Sequence, residues 1–165
     1  VLFLDLDGTV RHGRAELGRF VNTPDDVVIF PDAVDRMREW TAAGGRIVGV
    51  SNQGGIALGY LDHEDCREAM ERTMALAENL FDVIIWCEHH PASEDPEMAA
   101  CFGRKPAPGL VFEGLWRLCD LHEDEYYPPD LALMVGDRSE DSQCAARAGI
   151  EFLHAELWRA TVSDG

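Results

Sequence analysis

The stretch Val1 to Val10, VLFLDLDGTV, starts as a strand fit for the middle of a core and ends in two carboxylates, Asp5 and Asp7, before Gly8-Thr9. An aliphatic run bounded by a turn signal reads as a buried strand. A carboxylate at the end of such a strand is costly unless it is paired or bound to a cation. One strand-end aspartate is commonly a cap or turn residue. Two in succession ask what else reaches the same edge.

Counting this run, at about 1–6, five stretches rich in Val, Ile and Leu read as strands; the others lie near 46–51, 83–87, 131–136 and 150–153. Helical patterns separate them. Asp32 is the expected N-cap of a helix carrying Ala33, Met37 and Trp40, which Gly44-Gly45 closes. Asp62 opens a longer helix with Cys66, Met70, Met74 and Ala77 facing inward. A third begins near Pro108 with Val111, Leu115 and Leu118 on one face, and a fourth runs from about Glu140 to Gly149.

Strands alternating with helices imply right-handed crossovers, hence a doubly wound α/β fold: a mainly parallel sheet with helices on both faces. Ligands in such folds lie beyond the carboxyl ends of the strands. Asp5 and Asp7, Ser51 and Asn52, and Asp137 all fall there. Two irregular insertions stand out, at about 10–30 and 88–103. His12, with Arg11 and Arg14, lies in the first of these and reads as a solvated flap over the site that could meet an anionic substrate.

With 165 residues the whole chain, 1–165, is expected to form one domain. No stretch is long and apolar enough to span a membrane, and no secretory signal opens the chain, so a soluble cytoplasmic protein is expected. Acidic residues outnumber basic ones 31 to 14, and the net charge of -17 disfavours nucleic acid and anionic membranes as partners. The five cysteines suit reduced thiols. Lys105 is the sole lysine beside thirteen arginines, which points to a need for a compact ammonium there.

Three strand-end carboxylates, Asp5, Asp7 and Asp137, call for a metal. Hard oxygen ligands, few in number, suit a Mg²⁺ ion that keeps several waters and takes a further ligand from a phosphate.

Asp5-Leu-Asp7-Gly8-Thr9, Ser51-Asn52-Gln53, Arg104-Lys105-Pro106 and Gly136-Asp137-Arg138-Ser139-Glu140-Asp141 resemble, in order and spacing, the four motifs of the haloacid dehalogenase superfamily of aspartate-nucleophile phosphatases. Within it, Ser51 to Ala57 and Arg104 to Gly109 resemble the capless branch of heptose bisphosphate and histidinol-phosphate phosphatases. The resemblance implies a Mg²⁺-dependent phosphomonoester hydrolase acting on a small phosphorylated metabolite, a sugar phosphate or histidinol phosphate. A polynucleotide 3′-phosphatase shares the Ser-Asn-Gln and Arg-Lys-Pro segments and is the alternative; a non-catalytic binding protein on the same fold is the third reading.

Under this resemblance Asp5 is the nucleophile that forms an aspartyl phosphate, and Asp7 carries the proton to the leaving oxygen and later from water. Lys105 supplies fixed positive charge. Ser51, the Asn52 N–H, Arg104, Gly8 and Thr9 are the expected phosphate or substrate loop, with Gly8 allowing the turn and Thr9 pinning it. Mg²⁺ is expected on the Asp5 carboxylate, the Asp7 carbonyl and Asp137, with Asp141 orienting Lys105 or the metal waters. Relatives often carry a zinc loop before Arg-Lys-Pro. Here Cys87, His89 and Cys101 match three of its ligands, whereas Gly103 stands where the fourth belongs, so zinc is expected to be lost or weak.

Overall fold

Leu2, Leu4 and Leu6 turn to one side of a central sheet and Phe3 to the other, all without solvent exposure. This alternation decides where the helices go. The computed structural model describes residues 1–14, 21–123 and 126–160. Residues 15–20 of the first insertion and the last five of the expected domain therefore lie outside the described residues.

The strands are β1 (Leu2–Leu4), β2 (Arg11–His12), β3 (Val28–Ile29), β4 (Ile47–Asn52), β5 (Val83–Cys87), β6 (Leu133–Gly136) and β7 (Glu151–His154). Five form a parallel sheet in the order β5-β4-β1-β6-β7, and β2 pairs with β3 in a small antiparallel ribbon. The helices are α1 (Pro31–Ala42), α2 (His63–Leu76), α3 (Pro96–Ala99), α4 (Gly109–Leu121), α5 (Ser139–Ala148) and α6 (Ala155–Ala160). On the Leu2 face, Met37 of α1, Cys66 and Met70 of α2 and Trp158 of α6 close one core. On the Phe3 face, Val111, Leu115 and Leu118 of α4 and Cys144 and Ala145 of α5 close the other. The doubly wound arrangement with helices on both faces is thus present, without a separate cap among the described residues.

β1 lies at the centre, bonded to β4 on one side and β6 on the other. The chain crosses from one half of the sheet to the other around it, so the crevice opens at the carboxyl end of β1. Helix α2 starts as expected, with the Asp62 side chain accepting from the Glu64 N–H at 2.7 Å. Helix α5 ends on Gly149 in the left-handed conformation. The expected cap at Asp32 is corrected: Phe30 is the N-cap and Pro31, whose fixed φ suits the first helical position, opens α1. Asp32 is one residue inside and accepts from the Ala33 N–H. No helix among the described residues is long and apolar enough to cross a membrane.

Candidate active site

Directly after β1 the chain curls around one carbonyl. The N–H groups of Thr9, Val10 and Arg11 all donate to the oxygen of Leu6, and that of Gly8 to the oxygen of Arg11. Gly8 takes φ +98°, and a Cβ there would lie 2.3 Å from an Asp137 carboxylate oxygen. Only glycine allows both the turn and the approach of Asp137. From α6, Arg159 donates to the carbonyls of Gly8 and Thr9 at 3.0 and 2.7 Å while its guanidinium lies over the Phe30 ring.

Asp5 continues the sheet ladder through its N–H to the oxygen of Val135 and turns its carboxylate into a buried charge cluster. The Lys105 ammonium donates to Asp5 Oδ1 at 2.6 Å and to the Val50 carbonyl at 3.0 Å, and pairs with Asp141 Oδ1 at 2.7 Å. These three acceptors use the three donors of an ammonium. Lys105 is thereby a fixed charge beside Asp5 rather than a mobile ligand. Thr9 Oγ1 donates to the other Asp5 oxygen at 3.3 Å. Burial raises the Asp5 carboxyl to about 7 against the pull of Lys105, with Asp141 and Asp7 adding to the rise. Burial alone would lower Lys105, but Asp5 and Asp141 outweigh it and hold the ammonium above its ordinary value.

The Lys105 loop is tied to β4 by a reciprocal pair: Asn52 Nδ2 donates to the Lys105 carbonyl, and the Lys105 N–H to Asn52 Oδ1. Gly136 lets Asp141 approach, since a Cβ there would meet its carboxylate at 2.3 Å. The second Asp141 oxygen accepts from the Arg138 N–H at 3.1 Å. With its oxygens so engaged, Asp141 orients Lys105.

Asp5, Asp7, Ser51, Asn52, Arg104, Lys105 and Asp141 line one cleft of about 360 Å³, within the range of small-ligand sites. Val21 and Asn22 from the first insertion, Tyr60 and Leu61 before α2, and His90, Arg138 and Glu140 are also part of its wall. Burial, then the charge of Arg104, lowers His90 below its ordinary pKa, which favours a neutral imidazole beside that arginine. Thr9 is buried against Asp5 and Gly8 packs on Asp137, so both shape the loop from behind.

Arg11 departs from the sequence reading. Expected with His12 and Arg14 in a solvated flap, it is 1% exposed and its guanidinium grips Asp7, Nε to Oδ1 at 2.9 Å and Nη2 to Oδ2 at 3.2 Å. His12 instead packs against Phe30. Gln53 Nε2 also donates to Asp7 Oδ2, at 2.9 Å, and to Ser51 Oγ at 2.7 Å. Neither contact to Asp7 nor the Arg159 clamp was foreseen.

Among the described residues, two groups of side chains could hold metal. Asp5, Asp137 and Asp141 bring carboxylate oxygens within 4.8 Å of one another, an all-oxygen set that fits Mg²⁺. Cys87, His89 and Cys101 gather at the same spacing, a sulfur and nitrogen set that fits zinc. A Cβ on Gly103 would lie 3.3 Å from Cys101 Sγ, so position 103 faces this second group without offering a ligand.

No family model matches the chain. It is 31% identical over 158 residues to the D-glycero-D-manno-heptose-1,7-bisphosphate 7-phosphatase of Chlorobaculum tepidum, covering 93% of this chain and 76% of that protein. A structure from Mesorhizobium loti assigned to the HAD-like phosphatases shares 32% identity at a TM-score of 0.74, over 91% of this chain and 68% of that one. The D,D-heptose 1,7-bisphosphate phosphatase of B. bronchiseptica, complexed with magnesium and phosphate, shares 26% at a TM-score of 0.71, over 92% and 78%.

Proposed function

Because the chain belongs to the haloacid dehalogenase superfamily of phosphatases, in the branch of the heptose bisphosphate phosphatases, we propose that it hydrolyses a phosphomonoester of a small sugar through an aspartyl phosphate on Asp5. The observation that carries this reading is the buried contact of Lys105 with Asp5 in a cleft that Asp7 also lines. A nucleophile, a fixed cation and a proton carrier then share one wall.

In the first half-reaction an Asp5 oxygen bonds to phosphorus as the phosphorus–oxygen bond to the sugar breaks, and Asp7 gives its proton to the departing oxygen. In the second, water attacks the aspartyl phosphate, Asp7 takes the water proton, and Asp5 leaves as a carboxylate with inorganic phosphate released. Ser51, the Asn52 N–H and the Lys105 charge face the oxygens on which negative charge accumulates. Arg104 lines the cleft for the rest of the substrate.

The cleft wall carries Asp5, Asp7, Glu140 and Asp141 against Arg104, Lys105 and Arg138. A phosphate dianion needs further positive charge there. Mg²⁺ held by Asp5, Asp137 and the Asp7 carbonyl would supply it and shield the phosphate from the carboxylates. The three zinc-type donors lack the fourth side chain of a structural site, so the loop 87–103 is read as holding zinc weakly. The five free cysteines support a reducing compartment, the cytoplasm. Residues 1–165 are read as one phosphatase domain.

Substrate class is tested by phosphate release from heptose bisphosphate, other sugar phosphates, histidinol phosphate and 3′-phosphorylated oligonucleotides. The reading expects a sugar phosphate to exceed the oligonucleotide by at least about tenfold in kcat/KM. The reverse order would favour nucleic-acid end processing.

A further inference from the structure

We propose that Arg11 is a positioning residue for Asp7, and that Thr73 of α2 in turn holds Arg11 in place. This rests on the reading of Asp7 as the proton carrier. A fully buried guanidinium is costly unless its charge and donors are met. Its carboxylate partner is Asp7, gripped by two parallel bonds at 2.9 and 3.2 Å. Such a fork fixes the carboxylate plane as well as its place. The third nitrogen, Nη1, donates to Thr73 Oγ1 at 2.7 Å, with longer contacts to the Ala69 carbonyl and the Met70 sulfur.

Thr73 is itself oriented. It is fully buried, and its hydroxyl donates to the Ala69 carbonyl at 2.7 Å, which leaves a lone pair for Arg11. The chain of contacts therefore runs from the backbone of α2 through Thr73 and Arg11 to both oxygens of Asp7. Gln53 holds Asp7 Oδ2 from the β4 side. Arg11 is absent from the cleft wall, so its influence on the reaction passes through Asp7.

An effect exerted through Asp7 has a signature. Proton delivery matters when the leaving oxygen is a poor one and little when it departs as a stable anion. Arg11→Met, Arg11→Lys and Thr73→Val would be compared with Asp7→Asn in single-turnover phosphorylation of the Mg²⁺-loaded enzyme, using p-nitrophenyl phosphate and an alkyl phosphate. Thermal melting would verify folding.

The expected result for Arg11→Met is a fall in the alkyl rate at least about tenfold greater than the fall in the aryl rate, with inhibition by inorganic phosphate unchanged. Thr73→Val, which keeps the shape and removes the hydroxyl that accepts from Arg11 and donates to the Ala69 carbonyl, should shift the ratio in the same direction by less. Arg11→Lys should recover part of the loss. A parent-like alkyl-to-aryl ratio in Arg11→Met overturns the proposal; if that variant does not fold, the same ratio in Thr73→Val does so. If Asp7→Asn itself lacks leaving-group dependence, the assignment of Asp7 fails and this inference with it. Dependence in Asp7→Asn but in none of the others would overturn the role of Arg11 alone.

Discussion

Lys105 Nζ lies 2.6 Å from Asp5 Oδ1, and both groups are nearly sealed from solvent. The ammonium bridges Asp5 and Asp141, so one cation serves two buried carboxylates. Lys105→Met leaves those carboxylates facing each other uncompensated. Stability should fall by about 3–5 kcal/mol, as when one partner of a buried pair is removed. In molecules still folded, kcat should fall by about 10²–10³, the scale of losing one stabilising charge. Urea unfolding beside steady-state kinetics checks this; parent-like stability would show that the cluster is not charge-balanced through Lys105.

Activity should require Mg²⁺ and vanish in EDTA, and Ca²⁺, with its larger and looser shell, should inhibit. Burial lifts the metal-free Asp5 carboxyl to about 7, so the folded apo protein holds this proton more tightly than the unfolded chain does. Apo stability from this group is therefore full below about pH 4 and is lost as pH rises towards about 7. Mg²⁺ binding favours the ionised form and releases the proton. The rise in Tm given by a fixed Mg²⁺ concentration should then be larger at pH 8 than at pH 6.

Gly8 and Gly44 separate close approach from backbone strain. Both have positive φ, but a Cβ at Gly8 collides with Asp137 whereas one at Gly44 meets open space. Gly44→Ala should cost only about 1 kcal/mol of strain and leave the Mg²⁺ requirement unchanged. Gly8→Ala should also displace Asp137 and raise the Mg²⁺ concentration for half-maximal activity by at least about tenfold. Mg²⁺ titration of both variants is the measurement.

The loop after β5 offers a gain-of-ligand test. Gly103→Cys places a thiol beside Cys101, completing a set of three sulfurs and one imidazole with Cys87 and His89. Zinc affinity, measured by competition with a chromogenic chelator, should rise by at least about tenfold. Burial raises the Cys87 thiol to about 11, so binding should also release protons and weaken as pH falls. Unchanged affinity would mean that position 103 does not face the metal.

Much of the fold was legible because its strands are short apolar runs with clear turn signals, and because β1 is covered by helices on both faces of the sheet and needs no polar face. Asp62 was readable as a cap since its side chain has a local job. Asp32 was misread because Pro31 opens the helix two residues earlier than a cap at Asp32 would, and a proline needs no capped N–H there. Of the candidate site residues, those in short motifs stood out: Asp5, Ser51, Lys105 and Asp137. Arg11 was hidden by its setting: in sequence it joins a polar insertion, and only the fold of the loop around the Leu6 carbonyl buries it against α2. Arg159 was hidden by distance, reaching the Gly8 loop from 150 residues away. Contacts of this range leave no periodic trace in a single chain.

The division of labour between Asp5 and Asp7 is the central claim, and the phosphate adduct on the protein tests it most directly. Each aspartate would be changed to asparagine and the Mg²⁺-loaded variant mixed rapidly with p-nitrophenyl phosphate. Asp7→Asn should release about one equivalent of nitrophenolate in a burst and stall as a phosphorylated protein, because nitrophenolate leaves without a proton whereas water is no longer activated. Asp5→Asn, lacking the nucleophile, should give neither burst nor adduct. Intact-protein mass spectrometry would read both. An adduct on the Asp5 variant, or turnover by both variants at the parent rate, would contradict the account.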